Sequence, residues 1–142
     1  MKRISSSILA LAMVFTCCCG VASAAENSDT RASLTLSFYN AELVAGDSKG
    51  VISVDYDVQS SKMASFIGVE SIKIYKADGS YVTTITGTTS NGLVESNSDI
   101  CKSFYDYKLT SGVSYYEKVK VFATVGSEYD SRTITTSTVK AP

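Results

Sequence analysis

Two carboxylates stand two positions apart in the run Ile52-Ser53-Val54-Asp55-Tyr56-Asp57-Val58. On an extended strand that spacing sends both side chains out of one face, about 7 Å apart, a separation that a pair of glycosidase carboxylates can use. Acid-base work also needs one carboxyl raised in pKa and the other left low, and no neighbour in the chain supplies that difference. Asp55 and Asp57 occupy the wet parity of an amphipathic strand, so the solvated-face reading outweighs the catalytic one.

Glu95, Asn97 and Asp99 place oxygen donors at i, i+2 and i+4, like the opening of a calcium loop. Continued in that register, Ile100 falls where the sharp turn wants Gly and Asp106 where a bidentate Glu is usual, so the EF-hand reading fails and a polar strand entry is the better account. Gly87-Thr88-Thr89-Ser90-Asn91-Gly92 lacks the Lys and the following helix of a phosphate cradle, and reads as a loop. The 142 residues include no His. That removes the Ser-His-Asp triad, the Cys-His dyad and histidine-ligated zinc, and leaves Cys101 without an imidazole base. No catalytic residue, metal ligand or cofactor is assigned.

The four cysteines change meaning with the leader. Lys2 and Arg3 precede an apolar run from Ile8 to Cys19, and Val21-Ala22-Ser23-Ala24 offers the small residues of a cleavage site. Residues 1–24 read as a secretory signal peptide, too short in its apolar run to span a membrane, so the protein is expected to be secreted and extracellular. Cleavage removes Cys17, Cys18 and Cys19, leaving Cys101 alone, and burial as a small hydrophobe is its expected state. Loss of Lys2 and Arg3 leaves 11 basic against 14 acidic residues, a net charge of −3. Such a chain lacks the clustered basic excess of a dedicated nucleic-acid binder, and the mature part contains no membrane span. The C-terminal Lys140-Ala141-Pro142 shows neither a sorting motif nor a hydrophobic tail.

Residues 25–31 are polar and unpatterned and read as a disordered leader. From residue 32 to 142 the chain is rich in Ser, Thr, Tyr and Val, with a period of two and no sustained helical period, which predicts an all-β domain. Seven strands are expected: 33–45, with Leu34, Leu36 and Phe38 inward and a change of phase near Asn40; the alternating Ile52–Val58; Val69–Ala77; Tyr81–Ile85; Ile100–Leu109; Val113–Val125; and Tyr129–Val139. Gln59–Phe66 reads as loop with at most one helical turn, Asp78-Gly79 as a type I′ hairpin, and Thr86–Asn97 as the longest and most mobile connection. Strands of this length and spacing match a seven-stranded antiparallel β-sandwich of immunoglobulin type.

Gly112-Val113-Ser114-Tyr115, continuing through Val119 and Val121, resembles the Gly-x-x-Tyr entry to the penultimate strand of fibronectin type III domains. Ile67-Gly68-Val69, Ser114-Tyr115-Tyr116 and Asp130-Ser131-Arg132-Thr133 resemble a domain-of-unknown-function family of small exported proteins of Gram-positive anaerobes. The resemblance spans most of the mature chain and implies a fold without implying an activity. Glu117 departs from it, standing on the inward parity of Tyr115, Val119 and Val121 where an apolar residue is expected.

In such a sandwich, Val69–Ala77, Val113–Val125 and Tyr129–Val139 share a sheet whose outward parity carries Lys73, Tyr75, Tyr116, Lys118, Lys120 and Phe122. Interleaved Tyr and Lys make an amphipathic face of the kind found at recognition surfaces, although cross-strand pairs of these types also stabilise solvated sheets. The expected function is a secreted, non-enzymatic interaction module whose partner is a protein or glycan at the cell surface. The alternatives are a carbohydrate-binding module stacking sugars on Tyr75, Tyr81 or Tyr116, and a structural protein assembling through strand edges or Cys101.

Overall fold

The computed structural model describes residues 35–142. The expected signal peptide and leader lie outside these residues. The described chain is all-β and forms a seven-stranded antiparallel sheet: β1 (Leu36–Ala45), β2 (Val51–Lys76), β3 (Tyr81–Thr86), β4 (Val94–Lys108), β5 (Ser114–Val125), β6 (Glu128–Thr135) and β7 (Val139–Lys140).

β2 organises the fold by changing partners along its 26 residues. Its first stretch, through Gln59, lies between β1 and the second half of β4. Its second stretch, from Ala64, pairs with β5 on one side and with β3 and the start of β4 on the other. β6 and β7 then pair with β5. Outside the ladders β1 also packs against β5, β6 and β7, and the Leu36 amide donates to the Asp130 carboxylate on β6 at 3.3 Å. Inward side chains of both β2 stretches, Val54 and Val58 with Ile72 and Ile74, join Leu43, Val119 and Val121 in one core.

Seven strands are present, but not the expected seven. Gln59–Phe66 is strand rather than loop, so the second and third expected strands are one element. Its inward positions run Ile52, Val54, Tyr56, Val58, then Ala64, Ile67, Val69, then Ile72, Ile74. The parity holds across the register shift between Gln59 and Ala64, slips between Ala64 and Ile67, and slips again between Val69 and Ile72, where the ladder with β5 shifts register between Val69 and Ser71 and the extra residue breaks the period of two. The expected last strand divides instead into β6 and β7.

Three further expectations are corrected. The bulge in β1 lies between Leu36 and Phe38 rather than near Asn40, and Phe38, expected inward, is 48% exposed. At Asp78-Gly79 only Gly79 has a positive φ, +88°, and its amide donates to the Lys76 carbonyl at 2.9 Å. The Lys76 amide in turn donates to the Ser80 carbonyl at 2.9 Å, so the turn is the three residues Ala77, Asp78 and Gly79 with the glycine in the left-handed region, not a type I′ turn. Between β3 and β4 the loop is Gly87–Leu93, because strand begins at Val94. Asn91 ties it down: its Oδ1 accepts from the amides of Thr88 (2.9 Å) and Leu93 (3.3 Å), and its Nδ2 donates to the Thr86 carbonyl at 2.9 Å.

Two inward polar groups complete the core. Glu117 follows the predicted parity and is fully buried. Its backbone exchanges two hydrogen bonds with Thr136, both 3.0 Å, but its carboxyl oxygens have no hydrogen-bond partner. Burial pushes its pKa up to about 8, so at neutral pH the group is chiefly the uncharged acid. The Tyr115 hydroxyl lies between the backbone amide and carbonyl of Thr110, at 3.2 and 3.4 Å, pinning the β4–β5 corner.

Candidate functional site

The second stretch of β2 lies beside β5 with Lys73 opposite Lys118, Tyr75 opposite Tyr116, Ser71 opposite Lys120 and Gly68 opposite Phe122. Inward neighbours of these residues, Ile72, Ile74, Val119 and Val121, are fully buried. The alternate parity therefore carries all six predicted residues onto one outward surface. That surface holds two aromatic clusters with lysines between them.

In the first cluster the Tyr75 and Tyr116 rings stack with centroids 5.3 Å apart and planes 13° from parallel. Tyr81 on β3 meets Tyr75 edge-on at 5.8 Å, and its hydroxyl shares a 2.9 Å hydrogen bond with Thr84. The Lys118 ammonium lies 5.6 Å from the Tyr75 ring centroid. Within that distance a cation is attracted to the ring face by roughly 0.5–1 kcal/mol when exposed.

In the second cluster Phe122 stacks on Tyr129 of β6 at 5.9 Å. The Lys120 ammonium pairs with the Glu70 carboxylate at 2.8 Å and lies 5.8 Å from the Tyr129 ring, and the Tyr129 hydroxyl also donates to Glu70. Burial raises the Glu70 pKa, but the bonds from Lys120 and Tyr129 outweigh it and leave the carboxyl below its usual range. The same bonds, Glu70 first and Tyr129 second, raise the Lys120 pKa.

Glu70 and Tyr129 were not among the predicted surface residues. Glu70 sits at the register shift between Val69 and Ser71, where parity carries no information. Tyr129 reaches Phe122 only because β6 pairs with β5. The charge consequence is specific: Lys120 is neutralised, whereas Lys73 and Lys118 face each other across the ladder and form none of the ion pairs found among the described residues. Like charges directly opposite on a sheet destabilise it.

The carboxylates considered for catalysis lie on a different surface. Asp55 and Asp57 are on the first stretch of β2, beside a groove of about 440 Å³ bordered by Phe38 and Phe104. Asp57 accepts from the Lys102 ammonium at 2.8 Å and from Gln59 at 3.0 Å, and these bonds, Lys102 first, lower its pKa. A general acid requires the opposite shift. Cys101 is 2% exposed, and burial followed by the Glu95 charge pushes its pKa up to about 11. This thiol is inert at neutral pH. Glu95, Asn97 and Asp99 lie along β4, and among the described residues no group of three or more His, Cys, Asp and Glu is placed to hold a metal ion.

Among the described residues no helix is long and apolar enough to cross a membrane. No family model matches the chain, and no curated protein or solved structure matches it.

Proposed function

We propose that the protein is an exported, non-enzymatic binding module that takes its partner on the surface formed by Lys73, Tyr75, Tyr116 and Lys118. The observation that carries this reading is the Lys73/Lys118 opposition, with neither lysine in an ion pair among the described residues, beside the Tyr75–Tyr116 stack. Like-charged residues directly opposite each other cost the free sheet stability, and an anionic or electron-rich partner relieves that cost. The adjoining rings supply apolar contact at low conformational cost.

The domain that presents this surface is an immunoglobulin-like sandwich. Two features support it: the pairing of β1, β2 and β4 on one side of the core and of β3, β2, β5 and β6 on the other, and the Tyr115–Thr110 bonds, which match the tyrosine corner of such domains. Export rests on the basic head, apolar run and small-residue site of residues 1–24. The kinship with exported proteins of Gram-positive anaerobes rests on the short motifs around Gly68, Tyr115 and Asp130.

Capture from cell-wall and culture-medium fractions tests the assignment. The wild-type protein retains a partner that Tyr116→Ala with Lys118→Glu loses, and equal retention by both contradicts it. A glycan partner is the reading favoured by Tyr81, 60% exposed beside the Tyr75–Tyr116 stack. In that case titration with the polysaccharide changes tyrosine fluorescence in the wild type and not in Tyr75→Ala.

A further inference from the structure

The surface on the first stretch of β2 is the electrostatic counterpart of the one just described. Its outward rows, read across β1, β2 and β4, are Asn40, Asp57 and Lys102; Glu42, Asp55 and Phe104; and Val44, Ser53 and Asp106. Lys102 neutralises Asp57. Asp106 has Lys108 two residues further along the same face of β4. Glu42 and Asp55 remain: directly opposite each other, exposed, and in none of the ion pairs among the described residues. Phe104, 64% exposed, stands in their row, and Phe38, 48% exposed, borders the same groove.

Each surface thus holds one unfavourable like-charge pair next to exposed aromatics, acidic on one side and basic on the other. The inward residues behind both, Val54 and Tyr56 for the first and Ile72, Ile74 and Val119 for the second, belong to a single core. The two surfaces therefore face away from each other.

We propose that these surfaces are complementary between copies, the Glu42/Asp55 surface of one molecule docking on the Lys73/Lys118 surface of the next. The proposal rests on the binding role given to the basic surface and names a second copy of this chain as its partner. Stacking places two carboxylates against two ammonium groups and removes both repulsions at once. Exposed ion pairs contribute only about 0.2–1 kcal/mol each, so Phe104 and Phe38 against the Tyr75–Tyr116–Tyr81 cluster supply the apolar share of the contact. Because the two patches differ, the contact is heterologous. Each added molecule presents a fresh surface, and the product is an open chain rather than a closed dimer.

Sedimentation velocity of the purified protein tests this. At about 50 mM salt the weight-average sedimentation coefficient rises with protein concentration, and at about 1 M salt, where the screening length is roughly 3 Å, it returns to the monomer value. Lys73→Gln with Lys118→Gln remains monomeric, as does Glu42→Gln with Asp55→Asn. An equal mixture of the two variants stops at dimers, since each molecule retains one working surface. All four side chains are exposed, and coincident circular dichroism melts separate lost assembly from lost folding. A wild type that stays monomeric at low salt, either variant assembling like the wild type, or a mixture no larger than its components overturns the proposal. The acidic-surface variant keeps the basic surface intact. If it captures an outside partner while the wild type stays monomeric, the binding role survives and self-stacking does not.

Discussion

At the scale of single residues, the informative groups are buried oxygens and what they bond. The Tyr107 hydroxyl is buried without a hydrogen-bond partner, whereas the Tyr115 hydroxyl bonds the Thr110 backbone. An unsatisfied buried hydroxyl has lost its water for no return. Tyr107→Phe is therefore expected to leave stability unchanged or raise it by about 0.5–1 kcal/mol, and Tyr115→Phe to lower it by about 1 kcal/mol, both read from urea midpoints.

Glu117 gives a pH signature. Its folded pKa, about 8 against an ordinary value of 4.5, means that the native state holds a proton the unfolded chain releases. Stability therefore falls as pH rises through that window, by up to about 1.4 kcal/mol per pH unit, and levels off above the folded value. Asp57 and Glu70 have depressed pKa values and act with the opposite sign, in acid, where stability falls as pH drops below their unfolded values. Unfolding midpoints measured between pH 5 and pH 9 are expected to decline for the wild type and stay nearly flat for Glu117→Gln. The inward position of Glu117 was legible from strand parity alone; that the site leaves the acid unpartnered was not, because the facing groups come from other strands.

At the scale of elements, β2 shows why strand boundaries were hard to read. Alternation exposes a strand only while the ladder is regular, and β2 changes phase twice while changing partners. The polar run Gln59-Ser60-Ser61-Lys62 resembles a connection, but Ser61 still donates its amide to the Thr35 carbonyl at 2.9 Å. Gly68 carries a requirement that composition could not reveal: its φ is +143°, and a Cβ there would come within 2.2 Å of the Leu93 carbonyl oxygen. Gly68→Ala is expected to lower the thermal midpoint in proportion to a loss of at least about 2 kcal/mol.

The six-residue surface was readable because it lies on regular parts of β2 and β5, where parity holds. The Lys73/Lys118 opposition yields a further prediction at this scale. Lys73→Thr relieves the repulsion and adds a β-branched residue, so it is expected to stabilise the free domain by about 0.2–1 kcal/mol while weakening capture of the partner. A variant that gains stability and loses binding separates a functional lysine from a structural one.

For the whole molecule, the proposed function rests on its surfaces and on how charge is placed over them. The charge is distributed unevenly: ion pairs neutralise Asp57, Glu70 and Asp130, while Lys73 stands opposite Lys118 on one surface and Glu42 opposite Asp55 on another. Salt is accordingly expected to weaken association in proportion to the screening of those pairs, without lowering the stability of the core. The most direct measurement is lysine acetylation of the purified protein, read residue by residue by mass spectrometry, before and after incubation with the fraction it captures. The predicted result is a several-fold loss of labelling at Lys73 and Lys118, with exposed Lys62 and Lys140 unchanged. Labelling that is identical at all four lysines in both states would contradict a binding role for the Lys73–Tyr75–Tyr116–Lys118 surface.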